Sequence, residues 1–443
     1  MMRESISAIF TSGEDIFSIR RQNYLKAFPG YTAFPGGKVD KEDRESNITV
    51  PSVFGDLPSH LYSALSREMK EELNFDLCSN LESIISIEDV GVAITPEFNP
   101  YRFKTHFLRI ELKSPVKFEV DSGEAMSFGW ESATSILETY KRGEILAVPP
   151  TVKLLENLAL DIHFKEVLDL SLEHNPETEV PMIESIYGVK QFLPLSHTFP
   201  PANRTNCFLI GEEYSVLIDP SPRDEAELSK LVTHLKKYKV NEVFLTHHHP
   251  DHHEYAVELA KLYNVEIGLS RDTHSRILSK HGKDYFQDLS LKYYKEGDIL
   301  TKSLGSEVQI FEVPGHDEGQ LALAPKNLNW FLVGDLIQTV GTVVIGAPEG
   351  DMAKYYNSLK RVIDLSPTFV IPSHGIAIGG VNKLETTLKH RMMREKKISE
   401  LLESGCSEDE ILGIVYEGLD ERLKLYALKT IRAHITKILA ERT

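Results

Sequence analysis

Four side chains that can bind a metal ion lie within six consecutive positions of this sequence. They are His247, His249, Asp251 and His252, inside the segment THHHPDHHEYA. Histidine and aspartate are poor core residues, and burying several together without partners is costly. A metal ion removes that cost, because neutral imidazole and carboxylate are ligands of Zn²⁺ and similar ions. The spacing therefore predicts a metal centre more readily than a surface loop that binds metal adventitiously.

Three further ligand candidates follow along the chain, each after an apolar run typical of a strand. His316 lies in IFEVPGHDEGQ, Asp335 in WFLVGDLI and His374 in FVIPSHG. Glycines or turn residues flank each of them, so the backbone can return a distant side chain to one centre. One histidine after a strand is usually an ordinary residue, but three such residues after the cluster indicate a shared site.

The cluster itself follows a predicted buried strand, residues 242–246, and a predicted helix, residues 225–238. Ligands at the carboxyl end of a strand lie where α/β folds place their sites. Asp251 and His252 are expected to open the next helix. A β-rich pattern begins at Ile186, after a polar, proline-containing stretch that predicts a linker over residues 166–185.

These motifs resemble the metallo-β-lactamase fold from about residue 186 to residue 380. The resemblance implies an αββα sandwich with two metal ions, Zn²⁺ or else Fe or Mn. It implies the following ligands: His247, His249 and His316 for one metal, Asp251, His252 and His374 for the second, and Asp335 as the bridge. It also implies a hydroxide held between the two ions and oriented by Asp251, the predicted catalytic residue, for attack on a thioester, an ester or a phosphodiester. His248 and His253 are predicted not to be ligands.

A second cluster of acidic side chains lies upstream, in the predicted helix ALSREMKEELNF over residues 64–75. Its apolar residues fall on one stripe, and Glu68, Glu71 and Glu72 fall together on another. Three carboxylates on one helix face repel one another unless a cation lies between them. Hard divalent ions such as Mg²⁺ take oxygen ligands of this kind.

The same residues resemble the Nudix hydrolase box, whose opening glycine corresponds to Gly37. The Arg-Glu and Glu-Glu pairs of the box correspond to residues 67–68 and 71–72. Asp43 replaces the first glutamate, and the spacer before Arg67 is longer than the usual seven residues. Asn74, which tolerates the left-handed conformation, replaces the last glycine. The flanks, including ITPEFNPYRFKTHF, are similar to the coenzyme A diphosphatase-like branch.

The Nudix resemblance covers residues 1–165 and implies an α/β/α sandwich. In it, Glu68, Glu71 and Glu72 would hold Mg²⁺ or Mn²⁺, with Glu71 and Glu72 as catalytic residues and Arg67 orienting a glutamate. The implied activity is hydrolysis of a nucleoside-diphosphate-linked compound, such as coenzyme A or a derivative. The alternative is a domain that keeps the fold and binds a nucleotide-like ligand without cleaving it.

Residues 381–443 predict a third, helical domain, in which Ser407 and Glu410 have the spacing of a capping box. It resembles the winged-helix-type appendage of a branch that includes glyoxalase II-like hydrolases and single-strand endoribonucleases. Arg391, Arg394, Lys396 and Lys397 cluster in it, but a packing or substrate-pocket element is favoured over a nucleic-acid surface.

Composition limits the partners of this multidomain α/β and α+β protein. The 443 residues carry a formal net charge of −17, which opposes an extended nucleic-acid surface. Three separated cysteines without C-x-x-C spacing indicate a reducing compartment, and neither an apolar membrane span nor a leader pattern occurs. We therefore expect a cytoplasmic metallo-hydrolase that acts on a small molecule, favoured as a thioester or coenzyme A derivative. The alternative is a single-strand endoribonuclease with a non-catalytic Nudix part.

Overall fold

The computed structural model describes residues 2–99 and 102–442. It divides into two compact units. The first runs to His174 and includes Ile183–Tyr187, and the second comprises Asn175–Met182 and the chain from Gly188. Pro100 and Tyr101, in the flank of the Nudix-like box, lie outside the described residues. The predicted three-domain boundaries, including the division at residue 380, stay a prediction.

The first unit contains one eight-stranded sheet. Its strands are β1 (Arg3–Ser12), β2 (Asp15–Arg21), β3 (Thr32–Ala33), β4 (Gly36–Lys38), β5 (Ile84–Ile94), β6 (Phe103–Leu112), β7 (Ala125–Ser132) and β8 (Leu168–Asp169). Its helices are α1 (Lys41–Glu45), α2 (Ser59–Leu73), α3 (Ala133–Lys141) and α4 (Pro149–Leu160), with short 3₁₀ turns at Ser52–Phe54 and Leu81–Ser83. The sheet order is β3-β2-β1-β6-β5-β8, with β4 paired to β1 and β7 paired to β2.

Strand β1 organises this sheet, because it pairs antiparallel with β2 and β4 and parallel with β6. Its alternate side chains belong to two different cores. Phe10 packs in the cluster that contains Leu65 of α2, whereas Ile9 packs in the cluster that contains Ile136 of α3 and Leu154 of α4. Because side chains alternate along a strand, the sheet is covered by helices on both faces.

The second unit contains strands β10 to β21, and β9 (Met182–Ile186) crosses the boundary between the units. The strands are β10 (Val189–Phe192), β11 (Cys207–Ile210), β12 (Val216–Ile218), β13 (Glu242–Phe244), β14 (Glu266–Leu269), β15 (Leu291–Tyr293), β16 (Ile299–Ser303), β17 (Ser306–Glu312), β18 (Leu321–Pro325), β19 (Trp330–Gly334), β20 (Phe369–Pro372) and β21 (Ile378–Gly379). The helices are α5 (Glu225–Leu235), α6 (Pro250–His253), α7 (Ala256–Tyr263), α8 (Arg271–His281), α9 (Met352–Leu365), α10 (Asn382–Glu403), α11 (Glu408–Val415) and α12 (Lys424–Arg442), with a 3₁₀ turn at Glu421–Leu423.

These strands form two sheets, with β15-β14-β13-β12-β11-β10 adjacent in one and β16 to β21 in sequence order in the other. Every residue of β11, β12, β13, β18 and β19 is buried. A strand buried at every position is covered on both faces. Helices α5 and α7 pack with the first sheet, and α9 and α10 pack with the second. This agrees with the expected mixed α/β architecture.

The two sheets meet next to the predicted ligands. The Asn206 amide donates to the Ser373 carbonyl at 2.8 Å, and the Leu321 amide donates to the Thr246 carbonyl at 2.9 Å. Ser373 and Thr246 each immediately precede a predicted ligand. The backbone therefore joins loops of both sheets at the site.

The three C-terminal helices form a small cluster around Ile398, Ile411 and Ile431. The turn after α10 contains Gly405 with φ +79°, a left-handed conformation that glycine adopts freely. Ser407 then caps α11 through a capping box with Glu410. The predicted C-terminal helices and this cap are present. Among the described residues, no helix combines the length and apolarity needed to cross a membrane.

Candidate metal centres

The first group of ligand atoms lies at the end of β13. The Nε2 atom of His247 lies 2.9 Å from Nδ1 of His249, and Nε2 of His316 lies 2.9 Å from the same Nδ1 atom. His316 comes from the loop after β17, in the other sheet. Three imidazole nitrogens therefore converge on one point, and they form one of the groups of the described chain that can hold a metal ion.

A second group of three lies beside it. The Oδ2 atom of Asp251 lies 3.8 Å from Nε2 of His252 and 3.6 Å from Nε2 of His374. Asp335 lies between the groups: its Oδ2 is 3.6 Å from Nε2 of both His252 and His316, and its Oδ1 is 3.4 Å from Nε2 of His374. Ligand atoms of one tetrahedral ion at about 2.0–2.2 Å are separated by about 3.3–3.6 Å. The separations around Asp251 and Asp335 are close to this range, whereas the two 2.9 Å separations in the first group are shorter.

In each histidine of these groups except His249, the ring nitrogen that faces away from the centre forms a hydrogen bond. His316 Nδ1 donates to the Val344 carbonyl at 2.9 Å, and His374 Nδ1 donates to the Arg204 carbonyl at 3.0 Å. These bonds leave Nε2 without a proton and aim its lone pair at the centre.

Asp219 anchors the remaining two rings. Its Oδ2 accepts hydrogen bonds from His252 Nδ1 at 2.8 Å and from the Thr246 hydroxyl at 2.6 Å, and its Oδ1 accepts from the Thr246 amide at 2.8 Å. Since that hydroxyl already donates to Asp219, it accepts from His247 Nδ1, 3.0 Å away. One buried carboxylate thus orients a ligand of each group.

The side chains fit a pair of divalent cations. His252 Nε2 and Asp335 Oδ1 are buried and have no hydrogen-bond partner among the described residues. Unpaired buried polar atoms of this kind are costly unless another group satisfies them. The donors are imidazoles and carboxylates, the set that Zn²⁺, Fe or Mn²⁺ accepts. The residues that would hold the cations are the seven predicted from the sequence.

Charge in the site follows from burial and from the two carboxylates. Burial, together with neighbouring imidazoles, holds the pKa of His247 and of His249 well below the usual range, so both rings are neutral. Burial also lowers the pKa of His252, but Asp251, Asp335 and Asp219 outweigh it and raise that pKa well above its usual range. A cation that binds His252 therefore displaces a proton.

The two neighbouring histidines point elsewhere. His253 Nδ1 is bonded to the Tyr285 hydroxyl at 2.9 Å. His248 Nδ1 contacts Oδ2 of the buried Asp317, and these two side chains with His249 form a further group of three possible ligands. Asp317 is not among the ligands predicted from the sequence, where its one signal is its position next to His316. Asp219 has no predicted role either, and its signal is a carboxylate directly after an apolar strand.

In the first unit, Arg67 contacts two of the three glutamates in the acidic cluster of α2. Its Nη1 donates to Glu68 Oε1 at 2.7 Å and to Glu71 Oε2 at 3.1 Å, and its Nη2 donates to Asp43 Oδ2 at 2.9 Å. Asp43 is buried in α1, which packs beside α2. The long spacer before Arg67 thus leaves Asp43 and Arg67 in contact, which the sequence spacing did not show.

The three glutamates of α2 differ in their surroundings. Glu71 is exposed, Glu72 is buried and accepts from the Gly36 amide at 3.0 Å, and a Cβ atom on Gly37 would lie 2.2 Å from Glu68 Oε1. Burial raises the pKa of Glu68 and raises the pKa of Glu72 to about 7. The oxygens of the three glutamates do not form a group within 4.8 Å among the described residues. Asn74 ends α2 in the left-handed conformation, as expected.

A match to a protein family agrees with the fold and the ligand groups of the second unit. Residues 200–374 match the family described as the Metallo-beta-lactamase superfamily, so the chain contains a metallo-β-lactamase domain.

The chain is similar to a beta-lactamase-like protein 2 homolog of Drosophila melanogaster, with 24% identity over 254 residues, 53% of this chain and 82% of that protein. It is also similar to a hydroxyacylglutathione hydrolase of Wigglesworthia glossinidia brevipalpis, with 28% identity over 175 residues, 39% of this chain and 61% of that protein. A beta-lactamase domain protein from Burkholderia ambifaria has the same fold, with a TM-score of 0.51 and 21% identity over 61% of this chain and 90% of that chain.

Proposed function

We propose that the second unit is a dinuclear metal-dependent hydrolase. The observation that carries this proposal is the convergence of two three-residue ligand groups on Asp335. Three protein ligands and the shared carboxylate give each ion four protein ligands, so an ion that accepts more than four ligands would keep a position open for water or substrate, as catalytic sites do. When bound, two such cations would lower the pKa of water and polarise the scissile group.

The protein's own residues would prepare the site for this chemistry. Asp219 and the Val344 and Arg204 carbonyls fix the tautomers of the ligand histidines. Asp251 is 14% exposed in its side chain, and the Thr205 hydroxyl donates to its Oδ2 at 3.4 Å. The second oxygen of Asp251 stays available to accept a hydrogen bond from the attacking water, which is the orienting role proposed for it.

We favour a thioester or small ester as the substrate. One relative is a hydroxyacylglutathione hydrolase, and the net charge of −17 opposes an extended polyanion surface. Single-stranded RNA is the competing substrate. Assays of acyl-coenzyme A and of a fluorescent single-stranded RNA, run on one preparation whose metal content is measured, separate the two.

The decisive variants are Asp335→Asn and His316→Ala, with His281→Ala as the control. His281 is exposed at the end of α8 and lies outside the ligand groups. We expect the first two variants to bind less metal and to lose at least about a hundredfold in kcat/KM, and the control to match the wild type. A wild-type protein that binds fewer than two metals per chain and hydrolyses neither substrate would refute the proposal.

For the first unit we propose a Nudix-type diphosphatase that uses Mg²⁺ or Mn²⁺ held by Glu68, Glu71 and Glu72. The supporting observation is that Arg67 binds Asp43 as well as two of these glutamates, although a long spacer separates Asp43 from Arg67 in the sequence. The alternative, a module that binds a nucleotide-like ligand without cleaving it, predicts binding but no turnover.

Glu71→Gln and Glu72→Gln test this assignment, with Glu42→Gln on the exposed face of α1 as the control. The assay titrates Mg²⁺ with coenzyme A and with nucleoside diphosphate derivatives as substrates. Hydrolysis that is lost in both variants and kept in the control supports the diphosphatase. Ligand binding with no hydrolysis in the wild type supports the binding module.

A further inference from the structure

A cavity of about 100 Å³ lies between α10 and residues 337–343 of the second unit. It has room for several water molecules or for one compact polar group. Basic side chains of α10 line it, namely Lys383, His390, Arg391 and Arg394. Their spacing places them along one face of the helix. The cavity is therefore walled on one side by positive charge.

This charge is not neutralised within the protein. None of Lys383, Arg391 and Arg394 forms an ion pair with a carboxylate in the part of the chain that the structure describes. Glu395, the residue after Arg394, is instead bound by His434 at 2.9 Å and by Lys437 at 2.7 Å. In a chain with a net charge of −17, three cations without a carboxylate partner around one cavity point to an anionic ligand.

Two of the cations are fixed in place before any ligand binds. Arg391 is 2% exposed, donates to the Val343 carbonyl, and has its guanidinium carbon 5.6 Å from the centre of the Tyr355 ring. The guanidinium of Arg394 lies 4.7 Å from the centre of the Tyr416 ring. A guanidinium has five N–H donors, so both groups keep donors for an anion. Holding them on aromatic rings reduces the entropy that binding would cost.

One segment of the chain, residues 343–344, contacts both a residue that lines the cavity and a candidate metal ligand. Val343 accepts from Arg391, and the next residue, Val344, accepts from the metal-ligand candidate His316 at 2.9 Å. Tyr355 also lines the cavity, and its hydroxyl donates at 2.7 Å to the carbonyl of Leu336, which follows Asp335. A group bound in the cavity is thus one residue away, along the chain, from contacts that position the metal centre.

We propose that this cavity binds a phosphate group, and that the metal centre acts on a small thioester or ester carrying such a group. The substrate part of this proposal rests on the proposed hydrolase function, whereas phosphate binding stands without it. Charge and donor number favour a doubly charged anion with several acceptor oxygens over a carboxylate. The small volume favours one phosphate group over an RNA strand, which requires a groove that follows successive phosphates.

Calorimetric titration of the full-length, metal-loaded protein with inorganic phosphate tests the site. The variant is Lys383→Gln combined with Arg394→Gln, which spares the buried Arg391. The control is Lys397→Gln, an exposed lysine of α10 outside the cavity lining. A hydrogen bond to a charged group corresponds to about a ten- to hundredfold change in affinity, so the double variant should lose at least about tenfold. Wild-type affinity in the double variant, or no binding by the wild type, overturns the proposal.

The substrate part is tested with acyl-coenzyme A and with the corresponding acyl-pantetheine, which carries no phosphate. We expect the double variant to raise KM at least about tenfold more for acyl-coenzyme A than for acyl-pantetheine, with Lys397→Gln unchanged on both. Equal effects on the two substrates overturn it. If neither thioester is hydrolysed, the thioester part of the proposed function fails, and the phosphate titration still tests the cavity by itself. RNA binding that weakens in the double variant, without any phosphate binding, also overturns it.

Discussion

Replacing Asp219 by asparagine should weaken metal binding although Asp219 is not a ligand. The carboxylate accepts three hydrogen bonds, two from Thr246 and one from His252, and it is 1% exposed. Asparagine offers one acceptor oxygen and one NH₂ group, so at least one buried donor faces another donor. The tautomer and orientation of His252 are then no longer fixed, and the Thr246 hydroxyl that positions His247 is disturbed as well.

The expected losses of metal affinity and of stability follow from the disturbed hydrogen bond between Asp219 and the His252 ring and from the buried donor left without an acceptor. Removing such an outer partner typically costs about 10–100-fold in metal affinity, and an unsatisfied buried donor costs about 1–3 kcal/mol of stability. The assay is competition with a chromophoric chelator, followed by metal analysis, on Asp219→Asn and on the exposed control Asp284→Asn. Folding is checked by circular dichroism. A folded Asp219→Asn protein whose two metal affinities stay within about threefold of the wild type would refute the reasoning.

Three further changes have defined outcomes. Asp43→Asn removes a charge from the half-buried pair with Arg67 and should lower the free energy of unfolding of the first unit by about 1–2 kcal/mol in urea titrations. Gly315→Ala places a Cβ atom 2.3 Å from the backbone of Tyr355, so it should displace the following metal-ligand histidine and reduce metal content. Burial lowers the pKa of His434, so the unfolded state binds protons more readily below about pH 6.5. Stability therefore falls as the pH drops through that value, and His434→Gln should reduce the fall in melting temperature between pH 7.5 and 5.5.

Each of these predictions has its own control. For the first unit it is Glu42→Gln, and a loss of stability equal to that of Asp43→Asn contradicts the role of the pair. For the metal centre it is Gly282→Ala, at a turn with no atom within 4 Å of the added Cβ. Full metal content in Gly315→Ala contradicts the steric argument. For the pH effect it is the exposed His390→Gln, and identical pH profiles of His434→Gln and wild type contradict it.

The sequence predicted the candidate ligands because they follow apolar runs, which are continuous in β19 and β20 but interrupted by polar residues in β17, before His316. Buried strands such as β13 and β19 can be recognised in the sequence by their apolar residues, and a polar residue that follows their carboxyl end is easily noticed. The hydrogen bonds that orient the histidine rings were not predictable in the same way. The Val344 and Arg204 contacts are made by backbone carbonyls, which carry no residue-type signal.

Two other features depend on how distant segments are packed. Asp43 and Arg67 are separated by a long spacer, and only the packing of α1 beside α2 shows that they form a pair. On α10, the sequence groups four basic residues as one cluster: Arg391, Arg394, Lys396 and Lys397. The structure places the two arginines at the cavity and leaves the two lysines exposed. Helical spacing alone gives the faces of α10, but not which face meets residues 337–343.

The origin of the ligands in two different sheets has a consequence for assembly. His247 to His252 follow a strand of the first sheet, whereas His316, Asp335 and His374 follow strands of the second. Each ion would therefore act as a cross-link between layers that are distant in sequence. During synthesis, neither ion finds a complete ligand set until the chain has been extended past its last ligand. If both proposed ions bind, the two sheets would separate only after metal release, so metal binding should slow unfolding as well as support the proposed hydrolysis.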